Sequence, residues 1–378
     1  MEPFPPKNLY VQTPTNLLVI IMNHSLKRKK IQYSLIVAMM ILVAALGQKT
    51  LSANLNLGQT ETGKPQSAGF WTLSFIEIDN EDTNNWTNAV SSYAWCTGTG
   101  SEGDPYLIEN VTVTPGATYR FMIKNSHGVY FRIKNCTSAT TSIYALYGGI
   151  NIENSDFGEL IGNNFSNGAG SGIVFDDCDN MTVQDNLLSN NKYHGMILDG
   201  LSSGSCDENT ISENTFINNS VLAIYLNYNN SLNIIEGNLI DGLGSQGDGI
   251  SFYNYGDNNT IIDNTIQNLS GLAIDFGYQG SNDVHNHNII QGNTILGGTM
   301  GIYFETDGMG NEIIGNTFEG QTWYGLWVEG ENSGVLLQTT LVQDNLFSAC
   351  KSSIIIERYT IDTLITENDI NGSTNTGI

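Results

Sequence analysis

An asparagine keeps returning to the same place in this sequence. Ile211-x-x-Asn214-x-Phe216 and Ile235-x-x-Asn238-x-Ile240 repeat one phrase 24 residues apart. The x-x-Asn-x-apolar phrase recurs at Asn110, Asn135, Asn163, Asn186, Asn214, Asn238, Asn264, Asn293, Asn316, Asn345 and Asn368, in steps of 23 to 29 residues. A second phrase, a small residue then aliphatic-x-apolar, interleaves with it, as in Gly172-Ile173-Val174-Phe175, Ala223-Ile224-Tyr225-Leu226 and Gly325-Leu326-Trp327-Val328. Self-similarity at this period marks a solenoid, whose repeats bury their apolar faces against their neighbours. The units hold short alternating strands separated by Gly, Asn and Asp, and none sustains a helical period for three turns.

One repeat accommodates three short strands and three turns, and parallel stacking sets equivalent residues of successive coils about 4.8 Å apart. A buried amide is costly alone. Asn, however, has two donors and an acceptor, so Asn above Asn can bond amide to amide along the stack. The expectation is an all-β chain of about eleven coils, with those eleven asparagines as an internal ladder. A leucine-rich repeat is excluded because its Leu-x-x-Leu-x-Leu framework and its helices are missing. A left-handed hexapeptide helix is excluded because no six-residue beat is present.

The phrases Asn214-Thr215-Phe216, Asn264-Thr265-Ile266, Asn293-Thr294-Ile295 and Asn316-Thr317-Phe318, with Gly301-Ile302-Tyr303-Phe304 and the lead-in Thr97 to Asn110, carry a resemblance. Over residues 95–378 the chain resembles the right-handed parallel β-helix repeat proteins of NosD-like, or carbohydrate-binding-and-sugar-hydrolysis, type. The resemblance implies a right-handed parallel β-helix of pectin-lyase-like form. It says little about reaction, because function sits in sites grafted onto such folds.

Residues 1–53 read as an N-terminal extension with a secretory signal. Lys27-Arg28-Lys29-Lys30 precedes twelve apolar residues, Leu35 to Leu46. That run is shorter than the ~20 residues of a spanning helix and has the basic flank of an export signal. Extending it back to Ile31 gives the alternative of an uncleaved anchor, and Met22 is a better-placed start than Met1. Residues 54–105 read as the N-terminal cap and lead-in, and 106–378 as the β-helix. Gly377-Ile378 opens another strand phrase, so the sequence stops in mid-coil, and the expectation is either a fragment of a longer chain or a last coil that docks on something. The expected location is secreted or cell-surface, periplasmic if there is an outer membrane.

After residue 53 the chain has 37 acidic and 8 basic residues, a net charge of −29. Nucleic acid is excluded as a partner, since it needs a basic footprint. Cys178 and Cys206 each lie eight residues before a ladder Asn, which stacks them on adjacent coils and admits a disulfide. Counted forward from Ile173 and Met196 they fall out of register, so the bridge stays open.

Length varies on one edge of the coil only. From ladder Asn to the next small-aliphatic phrase the count is 9 to 12 residues, whereas the return arc takes 13 to 19. The long arcs are 199–208, 277–288 and 329–340. Insertions on one face of a solenoid often mark the binding face. Beside that edge runs an acidic column that includes Asp176, Asp199, Glu305, Glu329 and Glu357. Asp176/Asp199 and Glu305/Glu329 are candidate catalytic carboxylate pairs, and Glu305, Glu329 and Glu357 a candidate Ca2+ site. An adjacent column with Tyr225, Asp275, Tyr303 and Trp327 is a candidate sugar-stacking strip. His285 and His287, spaced as on one strand face, are candidate metal ligands. The NosD-like resemblance implies copper for them. Arg132-Ile133-Lys134 matches a polygalacturonase tripeptide but precedes every candidate acid. The leading expectation is an exported protein that binds polysaccharide along its flank, with or without calcium. The alternatives are a glycoside hydrolase or epimerase-like enzyme, a copper-delivery accessory and a structural spacer.

Overall fold

The computed structural model describes residues 71–116, 120–200, 204–277, 284–305, 308–330, 337–338 and 340–378. The signal or anchor of residues 1–53, the start of the cap and parts of the three long arcs lie outside the described residues. Among the described residues no helix is long and apolar enough to cross a membrane.

The chain winds through three sheets whose strands pair in parallel, apart from the antiparallel first pair of sheet 2, Cys96–Thr97 with Tyr106–Glu109. Sheet 1 has eleven strands, from Ile76–Asp79 to Ser352–Glu357. Sheet 2 has twelve, from Cys96–Thr97 to Leu364–Thr366. Sheet 3 has eight, from Leu187–Ser189 to Asp369–Asn371. Each coil takes its sheet 1 strand from the small-aliphatic phrase, then crosses the return arc to sheet 2, turns at the ladder residue and enters sheet 3. Pairing between coils is in register, as in Ile224↔Ile250, Ile211↔Ile235 and Phe216↔Ile240. The result is a β-solenoid of about nine turns, slightly fewer than the eleven expected.

The interior is built of columns. Ile173, Met196, Ile224, Ile250, Ile274 and Ile302 stack in one, all without exposure. Phe252, Phe276 and Phe304 stack in another, with ring centroids 4.5 and 4.3 Å apart. Parallel strands suit this because every inward residue meets its equivalent on the next coil. At the N-terminal end the helix α1, Trp86–Ser92, closes the stack. Asn85 caps it, its side chain accepting from the Asn88 N–H. Trp86 lies fully buried on Tyr106 and Phe131, and its indole N–H donates to Ser126 Oγ at 2.9 Å. Sheet 1 begins within the segment read as cap, since Ile76–Asp79 pairs with Phe121–Lys124.

Nine asparagines form the interior ladder: Asn163, Asn186, Asn214, Asn238, Asn264, Asn293, Asn316, Asn345 and Asn368. Each Oδ1 after the first accepts from both the backbone N–H and the Nδ2 of the preceding Asn. For Asn264 these distances are both 2.9 Å. Each Nδ2 also donates to a carbonyl of the preceding coil, as Asn238 does to Ile211 at 2.8 Å. Asn110 and Asn135 do not belong to this ladder, although the Asn135 Nδ2 donates to Asn110 Oδ1. They occupy the corner one residue earlier, in left-handed conformations with φ of 59° and 49°. The interior positions beside them are Val111 and Cys136, and the Cys136 N–H donates to Asn163 Oδ1 at 2.8 Å. Asn tolerates left-handed φ better than most residues, so the same residue type serves both corner positions.

A second ladder was not anticipated. Asn209, Asn233, Asn259, Asn288 and Asn311 stack at the start of sheet 2. A short third one joins Asn191, Asn219 and Gln246 after sheet 3.

Candidate functional site

Alternation on sheet 1 turns every second side chain outward. One outward column runs Ile197↔Tyr225↔Ser251↔Asp275↔Tyr303↔Trp327↔Ile355. Its neighbour holds Glu153↔Asp176↔Asp199↔Asn227↔Tyr253 and, after Gly277, Glu305↔Glu329↔Glu357. The in-register pairing thus brings the candidate acids and rings onto one face of one sheet, at the strand spacing of about 4.8 Å.

At one end lie Asp176 and Asp199. Asp199 is buried, and Asn227 Nδ2 donates to its Oδ1 at 3.0 Å. Burial, then the charges of Asp199, Glu153 and Asp177, push the half-buried Asp176 up to about 6. The folded chain therefore binds this proton more tightly than the unfolded chain, whose aspartates titrate near 3.8. The contribution to stability is full when Asp176 is protonated and declines as pH rises through that window. Asp176→Asn is expected to match the parent in melting temperature below the window and to exceed it above. Parallel pH profiles for the two proteins would contradict this.

Towards the other end, Tyr303 and Trp327 pack with ring centroids 4.9 Å apart, and Tyr324 meets Trp327 edge-on at 5.1 Å. Tyr225 stacks on His194 at 5.1 Å and meets Tyr253 at 6.0 Å. Asp275 accepts from Ser251 Oγ at 3.4 Å. Burial, with Asp248 and Glu305 nearby, raises Asp275 to about 7. Glu329 is buried, and its Oε1 takes a 2.8 Å bond from the exposed Arg358. Burial raises Glu329, Arg358 opposes the rise, and Glu305 adds to it.

Several expected sites come out differently. Glu305, Glu329 and Glu357 share register. Glu357 is exposed, and Arg358 already supplies a positive charge to Glu329. Among the described residues no group of three or more His, Cys, Asp or Glu side chains could hold a metal ion. His285 and His287 do not share a face. His285 is fully buried against Phe252 and Phe276, its Nδ1 3.3 Å from Gly256 O. His287 sits on a turn with φ of 53° and is exposed. The left-handed residue breaks the alternation that the His-x-His spacing assumed. Burial drives the His285 imidazole down to about 4, so it is neutral.

Cys178 and Cys206 do lie on neighbouring coils, as the count back from the ladder implies, but both thiols are free. The Cys178 N–H points at Cys206 Sγ at 3.4 Å. Each sulfur is turned onto a carbonyl instead, Cys178 to Ile152 at 3.2 Å and Cys206 to Asp199 at 3.7 Å. Arg132 and Lys134 stand on sheet 2, away from the acidic column, and pair with Glu159 and Glu109.

The sequence reading also missed members of the strip. His194 and Tyr324 each precede the glycine of a sheet 1 phrase by one residue, and their rings pack on Tyr225 and Trp327 respectively. A ring directly before Gly-aliphatic was the available signal.

A sequence profile described as the right handed beta helix region matches residues 94–266 and 208–370. The chain belongs to the right-handed β-helix family. Solved structures similar to this β-helix include the Dettilon tailspike protein, with 12% identity and a TM-score of 0.47 over 75% of this chain and 63% of that one. The periplasmic alginate epimerase AlgG shares 11% identity, with a TM-score of 0.46 over 75% of this chain and 82% of that one. A GH87 α-1,3-glucanase from Streptomyces thermodiastaticus shares 13%, with a TM-score of 0.47 over 72% of this chain and 62% of that one. The β-helix thus spans less than two thirds of the tailspike and of the glucanase chain. A search of the curated proteins returns no match.

Proposed function

We propose that this right-handed β-helix is an exported or surface-displayed protein that binds an extended polysaccharide along the outer face of sheet 1. The observation that carries the reading is the pairing of Tyr303 and Trp327 on successive strands, flanked by Asp275, Glu305 and Glu329. Ring faces offer apolar area with little entropy to lose, and neighbouring carboxylates accept from sugar hydroxyls. A glycan array run with and without calcium tests it. The parent is expected to bind, and Trp327→Ala to bind at least about tenfold less, a loss of ~1.4 kcal/mol. No binding in either condition would reject the reading. Gains confined to the calcium arm would restore the cation that the Glu305–Glu357 column was expected to hold.

A second reading rests on Asp176 and Asp199. Two carboxyls on adjacent strands, one of them raised by burial and by its neighbour, supply the acid and the carboxylate of a glycoside hydrolase. Release of reducing sugar that is lost in Asp199→Asn would favour hydrolysis over binding alone. The copper-delivery reading loses its ligands, because His285 is inside the core and His287 outside it.

A further inference from the structure

We propose that the polysaccharide held on this face carries free amino groups, so that the ligand class is a cationic glycan such as a polymer of 2-amino-2-deoxyglucose. The proposal rests on the glycan-binding reading above and narrows it.

Charge is the first argument. Between Lys192 and Lys351 the sequence contains no Lys or Arg and 18 Asp or Glu. This stretch supplies every sheet 1 strand from Met196–Asp199 to Tyr324–Glu329. A uronic acid polymer laid here would meet an excess of carboxylates at distances well inside the Debye length of about 8 Å, the one cation at this end, Arg358, being already engaged by Glu329. A neutral polymer would leave their mutual repulsion in place. A protonated amine relieves it.

The second argument is a set of polar atoms without partners. Among the described residues, Asp275 Oδ1, Glu329 Oε2 and Trp327 Nε1 are buried without a hydrogen-bond donor or acceptor to match them, and the Glu305 carboxyl that lies by Glu329 adds an acid rather than a cation. The Glu329 side chain is only 2% exposed, and Arg358 engages its other oxygen. Two acceptors and one donor therefore stand on one short stretch of the face. An ammonium group brings three donors and the opposite charge, and an adjacent hydroxyl oxygen can accept from the indole. Orphaned buried atoms of this kind are expensive and call for a partner.

Geometry supplies the third. Asp275, Tyr303 and Trp327 occupy three successive strands of one column. A cation seated beside Asp275 stands one strand away from Tyr303, whose ring face attracts positive charge. Gly277 takes the place of an acidic-column side chain next to Asp275, and a Cβ there would meet Asp275 Oδ1 at 2.8 Å.

The test is calorimetric titration of the full chain near neutral pH, where the raised Asp275 carboxyl is part-ionised, with three hexasaccharides: the glucosamine hexamer, its N-acetylated counterpart and hexagalacturonate. The glucosamine hexamer is expected to bind at least about tenfold tighter than the N-acetylated one (~1.4 kcal/mol), with an advantage that shrinks as salt is added. Hexagalacturonate is expected not to bind. Asp275→Asn is expected to remove most of the preference for the free amine over its N-acetylated form. Glu329→Gln, equal in size, is the second variant and is expected to act in the same direction. Equal or tighter binding of the N-acetylated hexamer or of hexagalacturonate overturns the amine assignment and leaves the glycan-binding reading standing. An unchanged preference in both variants overturns the site. Binding of none of the three, with an empty glycan array, overturns both the assignment and the reading beneath it.

Discussion

Asn238→Ala is expected to destabilise the protein by about 4 kcal/mol, far more than an ordinary polar-to-alanine change. The backbone N–H and Nδ2 of Asn214 donate to Asn238 Oδ1 at 2.9 and 3.1 Å. Asn238 Nδ2 in turn donates to Ile211 O at 2.8 Å and to Asn264 Oδ1 at 2.9 Å. Removing the amide strands a backbone donor, a side-chain donor and a carbonyl where water is excluded. Each orphaned group costs about 1–3 kcal/mol, and partial collapse offsets some of the sum. Asn368→Ala makes the control. Asn368 is only partly buried and water can replace its bonds, so about 1 kcal/mol is expected. Urea titration of both variants reads the difference, and equal midpoints would contradict a load-sharing interior ladder.

Phe276→Ala is expected to cost about 4 kcal/mol by a different route. The ring is fully buried between Phe252 and Phe304, with His285 edge-on at 5.4 Å. Truncation removes both stacking contacts and leaves a void that parallel strands, locked by their ladders, cannot close. Phe276→Leu retains most of the volume and is expected to lose less than half as much. Thermal and urea unfolding of the pair give the ratio. A cost below about 1 kcal/mol for the alanine variant would mean that the coil relaxes freely, contrary to close packing.

Much of this architecture was legible because a stacked coil repeats its constraints. Ile211-x-x-Asn214 places its amide three residues after the inward aliphatic, and the same count holds from Leu160-x-x-Asn163 through Ile365-x-x-Asn368. In Ile108-x-Asn110 and Ile133-x-Asn135 the count is two, and those side chains fall on the corner instead. The signal was present, but a phrase anchored on the following apolar residue hid it. The second ladder was hidden for a chemical reason. Asn209, Asn233, Asn259, Asn288 and Asn311 each stand five residues before a first-ladder Asn, where Asn also reads as an ordinary turn residue.

The candidate site divides in the same way. Register alone aligns Asp176 with Asp199 and Tyr303 with Trp327, because strand pairing on sheet 1 has no slips there. What periodicity cannot convey is the partner that arrives from elsewhere. Arg358 belongs to a turn, yet it reaches Glu329 and alters what that carboxylate can bind. His287 sits on a left-handed residue that no alternation rule registers. Local backbone reversals and long side chains decide such sites, and a pattern of periods does not encode either.

The most direct measurement is hydrogen exchange at the asparagine side-chain amides, followed by NMR on the folded chain. Nδ2 protons of Asn186, Asn214, Asn238, Asn264, Asn293, Asn316 and Asn345 are expected to exchange as slowly as core backbone amides, with Asn110 and Asn135 markedly faster. Rapid exchange at all of these positions, as in solvent-exposed asparagine, would contradict amides stacked in a dry interior.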